Sequence, residues 1–470
     1  MTLESPLSPL DGRYQEATRP LRAYFSEFAL NRYRLKIEIE YFLFFSRALG
    51  EACTPEQEAK LEAIAENFSE KEAAALGEME KLIRHDLKAV EYFLKGKIFE
   101  IFDRPELAKI VERVHFGLTS EDINNLAYSC MLRDGLREVL LPKLRELSRF
   151  LAELTGRTKD FPMLARTHGQ CATPTTMGKE IGVFLYRLID ALEDLVGLKL
   201  TGKLNGATGT YGALFAAYPE IDWLEFSRSF VLSLGLDFNP LTTQIEPHDR
   251  LAALCDRLRR LNGVLLDLDQ DFWRYISDGY FVQRTIEGEV GSSAMPHKVN
   301  PIHFENSEGN LGMANALLVF FSEKLTKSRL QRDLSDSTVL RNLGVAFGHC
   351  LLAYDSCLKG LSRLAVAPEV LLSDCARHPE VLAEAYQTIL RAVGYPKPYE
   401  ALKGMSRGKE ISLAGMRDFV DSLSLEAPIK ERLLALEPEN YLGYAPRLAE
   451  VAVARFSEFW SGQEKNFKLS

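Results

Sequence analysis

With 470 residues the chain is too long for a single hydrophobic core, so two or three domains are expected. Apolar residues make up 46% and charged residues 26%, the composition of an ordinary soluble globular protein. A net charge of −9 argues against a general nucleic-acid or anionic-membrane surface, while leaving room for a local cationic pocket.

The opening run, MTLESPLSPLDGRY, is polar, acidic and proline-rich, and lacks the charged start and apolar stretch of a secretory signal. Further along, no apolar run approaches the roughly 18 residues that a membrane span needs. The seven cysteines form no Cys-x-x-Cys pair and do not cluster with histidines at zinc-ligand spacing. A reduced, cytoplasmic setting is expected.

Residues 1–111 read as shorter helices punctuated by proline and glycine, a predicted N-terminal helical domain. Arg84-His85-Asp86 falls in a helical run there, as exposed charge or as part of a site. Thr119-Ser120 stands where a helix begins, with Glu121 and Asp122 in its first turn; capping explains Ser120 nearly as well as function does. From here to residue 364 the pattern is a central bundle of long helices. Ile123, Leu126, Cys130 and Met131 open one run, which resumes at Leu140, Leu144, Leu147 and Leu151. Thr167-His168-Gly169-Gln170 is predicted as a turn before a helix from about Thr175, with His168 open to ligand. Ile181, Leu185, Leu188, Leu192 and Leu195 mark the next helix. LNGATGTYGALF (Leu204–Phe215) lacks the dinucleotide-binding glycine spacing and reads as a tight turn or short hairpin. From Leu251, apolar residues at 254, 258, 261, 265, 268, 272 and 275 make a heptad seam. Its acidic run Asp267–Asp271 is predicted to be a solvated face.

The period then breaks at GEVGSSAMPHKVNPI, Gly288 to Ile302. Asn300-Pro301 is a helix-start signal, with asparagine as cap and proline in the first turn. Lys298 therefore stands before a helix N-terminus, where backbone N–H groups, dipole and lysine together favour an anion. Gly288 and Gly291 permit unusual backbone angles, and two serines ride between them and the lysine. The physical reading is a loop that closes on an anion and presents a hydroxyl. The next helix holds Leu318, Val319, Phe320 and Phe321 in succession, apolar on more than one face, so bundles from several chains are expected to pack together. Another run follows at Leu340, Phe347, Leu351 and Tyr354. Residues 365–470 read as a C-terminal domain of shorter helices.

The pattern Gly291-Ser292-Ser293-x-Met295-Pro296-x-Lys298-x-Asn300-Pro301 resembles the signature of the fumarase/aspartase superfamily. Its filling, MPHKVNP, is similar to that of the adenylosuccinate lyase family, and the long form of HDLKAVEYFLK looks like the bacterial branch of that family. SPLDGRY, RHDLKAVEYFL, TSEDINN, RTHGQ, TTQIEPHD and RDLSDSTVLRN agree with it. The resemblance implies an all-α fold of three helical domains and a homotetramer whose active sites each draw on three subunits. It implies β-elimination across a succinyl C–N bond with release of fumarate, from adenylosuccinate and from the succinylated aminoimidazole carboxamide ribotide, SAICAR. Neither metal nor organic cofactor is implied, since no electrons leave the substrate as hydride or radical. Ser292 is implied as the base and His168 as the acid. Arg13, Tyr14, Arg332, Ser337, Thr338 and Arg341 would bind the nucleotide end; Thr119, Ser120 and Gln244 the succinyl group. Lys298, Val299 and Asn300 would lie at the carbanion, with Ser293 on a carboxylate or phosphate. Arg84, His85 and Asn306 would line the site, Asp86 orienting a neighbour and Glu246 orienting His168. Cys171 replaces the family's usual proline, either as an inert thiol or as a reactive one near His168. A related lyase acting on argininosuccinate or malate is the nearest rival, disfavoured by His297 and TTQIEPHD. A non-catalytic helical scaffold is disfavoured by the presence of both His168 and Ser292.

Overall fold

The computed structural model describes residues 6–102, 110–284, 295, 298–406 and 412–469. Ser292, Ser293, Gly288, Gly291 and His297 of the loop signature lie outside them. The chain divides into two compact units: Met1–Lys143, Asp194–Asn262 and Gly309–Tyr354 form the first, and Leu144–Glu193, Gly263–Glu308 and Asp355–Ser470 the second.

In the first unit, α1 (Glu27–Ala48) starts where the Ser26 hydroxyl accepts the Ala29 N–H at 3.1 Å. Its Tyr41, Phe44 and Phe45 rings pack against Trp223, Phe226 and Phe230 of the helix Trp223–Ser233. Such ring pairs add about 0.5–1.5 kcal/mol each beyond the area they bury. Then come α2 (Asp86–Ile101) and α3 (Ser120–Gly135). A wide turn over Leu136–Leu140, closed by the Leu141 N–H on the Leu136 carbonyl, leads into α4 (Leu141–Arg157). Leu140, Leu144, Leu147 and Leu151 are fully buried, as their spacing predicts.

Few residues are extended. In the second unit, β1 (Pro162–Thr167) and β2 (Gln170–Thr176) form an antiparallel hairpin, and α5 (Met177–Val196) follows. Thr201–Gly202 pairs in parallel with Asp237–Phe238 in the first unit, and Phe281–Gln283 antiparallel with Leu364–Val366 in the second. The predicted turn ahead of Thr175 is thus the tip of a hairpin, and the helix begins at Met177. The fold is mostly helical, as predicted, with these three ribbons as additions.

The long helix α6 (Asp249–Ser277) buries Leu251, Leu254, Leu258, Leu261, Leu265, Leu268 and Phe272 along its seam, each at most 5% exposed. Its acidic run corrects the sequence reading. Asp267 is exposed and pairs with Arg187 at 2.5 Å, but Asp269 is 1% exposed. One residue past the seam, it still falls within the broad stripe that a packed helix buries. α7 (Ile302–Leu325) and α9 (Leu343–Ser362) supply Ser307 and Cys357 beside it; α8 (Ser335–Leu340) precedes α9. The Pro301 carbonyl accepts the first bonds of α7, from Phe304 and Glu305, so the helix starts one residue later than a proline in its first turn predicts. α10 (Pro368–Ala376) lies in the second unit.

Candidate active site

In the first unit, charged side chains from separate elements converge on Asp86. Arg34, 2% exposed on α1, donates to Asp86 Oδ2 at 2.7 Å and to Asn124 Oδ1 at 2.9 Å. Arg341 donates to the same Oδ2 at 3.0 Å and to both oxygens of Glu27 at 2.6 Å. Burial alone would raise the Asp86 pKa, but the Arg34 charge, the Leu87 N–H and Arg341 hold it below the usual carboxylate range. Asp86 thus orients Arg341, which the sequence reading placed on the nucleotide. His85 caps α2: its Nδ1 accepts the Lys88 N–H at 3.1 Å, leaving Nε2 to carry the ring proton. Arg84 takes a left-handed conformation (φ 55°) at the end of the preceding helix and is exposed.

The start of α3 is tied into the interior. Thr119 is the cap and Ser120 the first helical residue, with the Thr119 N–H donating to Asp122 Oδ2 at 2.8 Å. Asp122 is fully buried and also accepts the N–H groups of Asn205 and Gly206. Lys203, equally buried, places its ammonium 2.9 Å from Asp122 Oδ1. The first part of the glycine-rich LNGATGTYGALF segment is a turn that wraps this ion pair, with Gly206 and Gly209 in left-handed conformations, whereas its last four residues open a short helix, Gly212–Ala217. A Cβ at Gly209 would meet the Thr242 carbonyl oxygen at 2.2 Å.

Beside it, Arg332 donates to Glu121 Oε1 at 3.0 Å and to Gln244 Oε1 at 3.1 Å, and Gln244 holds the Ala207 carbonyl. Glu246 is buried and accepts from Thr201, Asn239 and the His248 N–H. Ser337 and Thr338 lie on α8. Arg13 is exposed, its guanidinium 5.8 Å from the Tyr14 ring centre.

In the second unit, His168 and Gly169 form the two-residue turn between β1 and β2, with φ of 53° and 73°. Positive φ at both central positions is the tight turn that suits the strand twist, and it projects the imidazole from a rigid ribbon. His168 is exposed and makes no hydrogen bond or ion pair among the described residues. The hairpin is anchored below: Arg166 donates to Asp374 Oδ2 of α10 at 2.7 Å and to the Tyr280 hydroxyl, which itself donates to Asp374. Burial would raise the Asp374 pKa, but Tyr280 and Arg166 outweigh it and keep the group ionised.

Lys298 is exposed ahead of α7, its N–H on the Met295 carbonyl at 3.0 Å, and Gln283 donates to the Val299 carbonyl at 2.9 Å. Asn300 and Asn306 are half-buried in the same unit. Arg13, Arg84 and Lys298 are cations without an acidic partner among the described residues. The sequence reading missed Arg34 and Lys203 altogether, and took Glu121 and Asp122 for capping alone.

A sequence model described as Lyase matches residues 12–315, and one described as Adenylosuccinate lyase C-terminal matches residues 328–442. Over 443 residues the chain is 49% identical to the adenylosuccinate lyase of Escherichia coli strain K12, covering 93% of this chain and 96% of that protein. The chain belongs to the adenylosuccinate lyase family. The Haemophilus influenzae adenylosuccinate lyase is 48% identical over 448 residues, 94% of this chain and 98% of that one. Among solved structures, a fumarate lyase from Mesorhizobium sp. BNC1 superposes with a TM-score of 0.74 at 19% identity, covering 93% of this chain and 97% of that one. A 3-carboxy-cis,cis-muconate lactonizing enzyme from Pseudomonas putida gives 0.72 at 21% identity, covering 94% and 97%. At such identities these two speak for the fold alone.

Proposed function

We propose that the chain is an adenylosuccinate lyase. It cleaves a succinyl C–N bond by β-elimination, taking adenylosuccinate to AMP and SAICAR to AICAR, with fumarate released each time. The observation that carries this reading is near-half identity to adenylosuccinate lyases across almost the full length of both chains.

The reaction removes a proton from the carbon beside a carboxylate and expels nitrogen from the next carbon. That carbon acid is weak, so the developing charge flows into the carboxylate and must be met there by fixed positive groups. Lys298 supplies the cation, and the backbone N–H of Val299, the Asn300 amide and the N-terminus of α7 supply fixed dipoles. Ser292 removes the proton, and His168 protonates the departing nitrogen. An imidazole with no partner among the described residues, held by a tight turn, is free to take and give that proton. Ser293 contacts a carboxylate or the phosphate.

Arg13, Tyr14, Arg84, Ser337, Thr338 and Arg341 meet the nucleotide end, with Arg341 held in place by Asp86 and Glu27. Arg332 enters already matched by Glu121, so its part is to hold Gln244 towards the succinyl group beside Thr119 and Ser120. His85 offers Nε2–H to an anionic oxygen, and Asn306 lines the site. Glu246 shapes the loop that carries Gln244. The working form is a cytoplasmic homotetramer in which several chains complete each site. The exposed Met313, Val319 and Phe320 of α7 support this, being an apolar face that one chain leaves uncovered.

The test is fumarate release from adenylosuccinate, argininosuccinate and malate, each offered separately, by the wild type and by Ser292→Ala, Ser293→Ala and His168→Ala. Adenylosuccinate alone is turned over. Ser292→Ala and His168→Ala lose about 10²–10⁴-fold in turnover while still binding substrate. Wild-type protein inert towards adenylosuccinate overturns the reading. Near-normal turnover by His168→Ala removes the acid, and an inactive Ser293→Ala beside an active Ser292→Ala exchanges the serines.

A further inference from the structure

A second nucleophile and base, unused by the proposed elimination, stand together in the second unit. Cys171 of β2, three residues beyond His168, has its Sγ 3.6 Å from Nε2 of His378. The other ring nitrogen, Nδ1, is 2.7 Å from Glu380 Oε1. Cys171 is half-buried and free of any disulfide.

The three groups have the order that activates a thiol. An ionised Glu380 accepts the Nδ1 proton, which fixes the tautomer and turns the Nε2 lone pair towards sulfur. His378 then removes the Sγ proton, and the thiolate is held beside an imidazolium. Two other charged groups nearby, Asp374 and Arg166, are already matched. Asp374 Oδ1 is 3.9 Å from Nε2, but Asp374 is bound by Arg166 at 2.7 Å and by Arg377 at 3.0 Å. Arg166, directly across the ribbon from Cys171, is likewise occupied by Asp374 and Tyr280. Cys53 gives the contrast: also half-buried, its thiol is pushed up by burial and by Glu58.

We propose that Cys171, with His378 as base and Glu380 as positioning residue, is a covalent modification site for small electron-poor alkenes. His378 Nε2 takes the Sγ proton. Sulfur bonds to the alkene carbon β to the carbonyl, and the double-bond pair moves to the α carbon. The imidazolium returns its proton to that carbon. Nothing leaves and nothing is oxidised. An imidazole that receives a proton and hands it back suits this addition, which needs no leaving group.

The probe is N-ethylmaleimide below one equivalent on the intact protein at neutral pH, with adducts quantified peptide by peptide by mass spectrometry. Cys171 is alkylated at least about tenfold faster than Cys53. His378→Gln and Glu380→Gln each slow Cys171 by about tenfold while leaving the Cys53 rate unchanged, and Glu380→Asp restores most of it. Equal rates at Cys171 and Cys53 in the wild type overturn the proposal. So does a Cys171 rate indifferent to both His378→Gln and Glu380→Gln.

Discussion

Lys203 and Asp122 show what one buried pair demands. Neither side chain reaches solvent, and Asp122 also gathers three backbone N–H groups from the cap of α3 and the loop around Gly206. Lys203→Met leaves that carboxylate, held by the N-cap of α3 and the loop around Gly206, without its cation in the interior. The expected cost is about 3–5 kcal/mol, read from urea denaturation. Asp269 behaves in the opposite way. Burial pushes its carboxyl up to about 8, against 3.8 for the exposed group. The folded chain therefore holds a proton that the unfolded chain releases, and stability falls as pH rises between those values. Asp269→Asn removes the fall: the variant is more stable than wild type by at least about 1 kcal/mol near pH 9, and the two converge near pH 4. Thermal denaturation across that range checks the sign. Neither pair of effects was legible in the sequence. Lys203 and Asp122 are far apart along the chain and meet only through the tertiary fold, and an aspartate beside a seam looks the same whether its flank is covered or bare.

At the level of elements, periodicity carried the reading where it was long. The α6 seam is buried as its heptads predict, because a 29-residue helix offers many repeats of one pattern. The α3 and α4 runs emerged correctly, separated by the wide turn at Leu136–Leu140. The β1–β2 hairpin was missed. Its strands are short and carry a proline, and its turn is His-Gly where Asn-Gly would have been the stronger signal. Yet the turn itself, with His168 beside a glycine and open to solvent, was readable. The hairpin matters through its anchor. Asp374→Asn removes the charge that holds Arg166 and lets the ribbon shift. Turnover of adenylosuccinate falls about tenfold with KM little changed, since small displacements of a reacting group cost rate before affinity. A large rise in KM with unchanged kcat would place Asp374 in binding instead.

For the molecule as a whole, the sequence identified the family from one loop signature and six supporting stretches, and the helical fold followed. The long helices α6, α7 and α9 each supply residues to both compact units. The apolar succession at Leu318–Phe321 resolves into two inward residues, Leu318 and Phe321, and two outward ones, Val319 and Phe320. Phe320→Glu places a charge on the outward face. By sedimentation the variant has a smaller mass than the proposed homotetramer, and its turnover falls in step. That same uncovered strip governs the fate of a newly synthesised chain. In the proposed homotetramer sister chains shield it; before they arrive it is as ready to clump with strangers as to dock correctly, so the yield of usable enzyme depends on how quickly the right neighbours find each other.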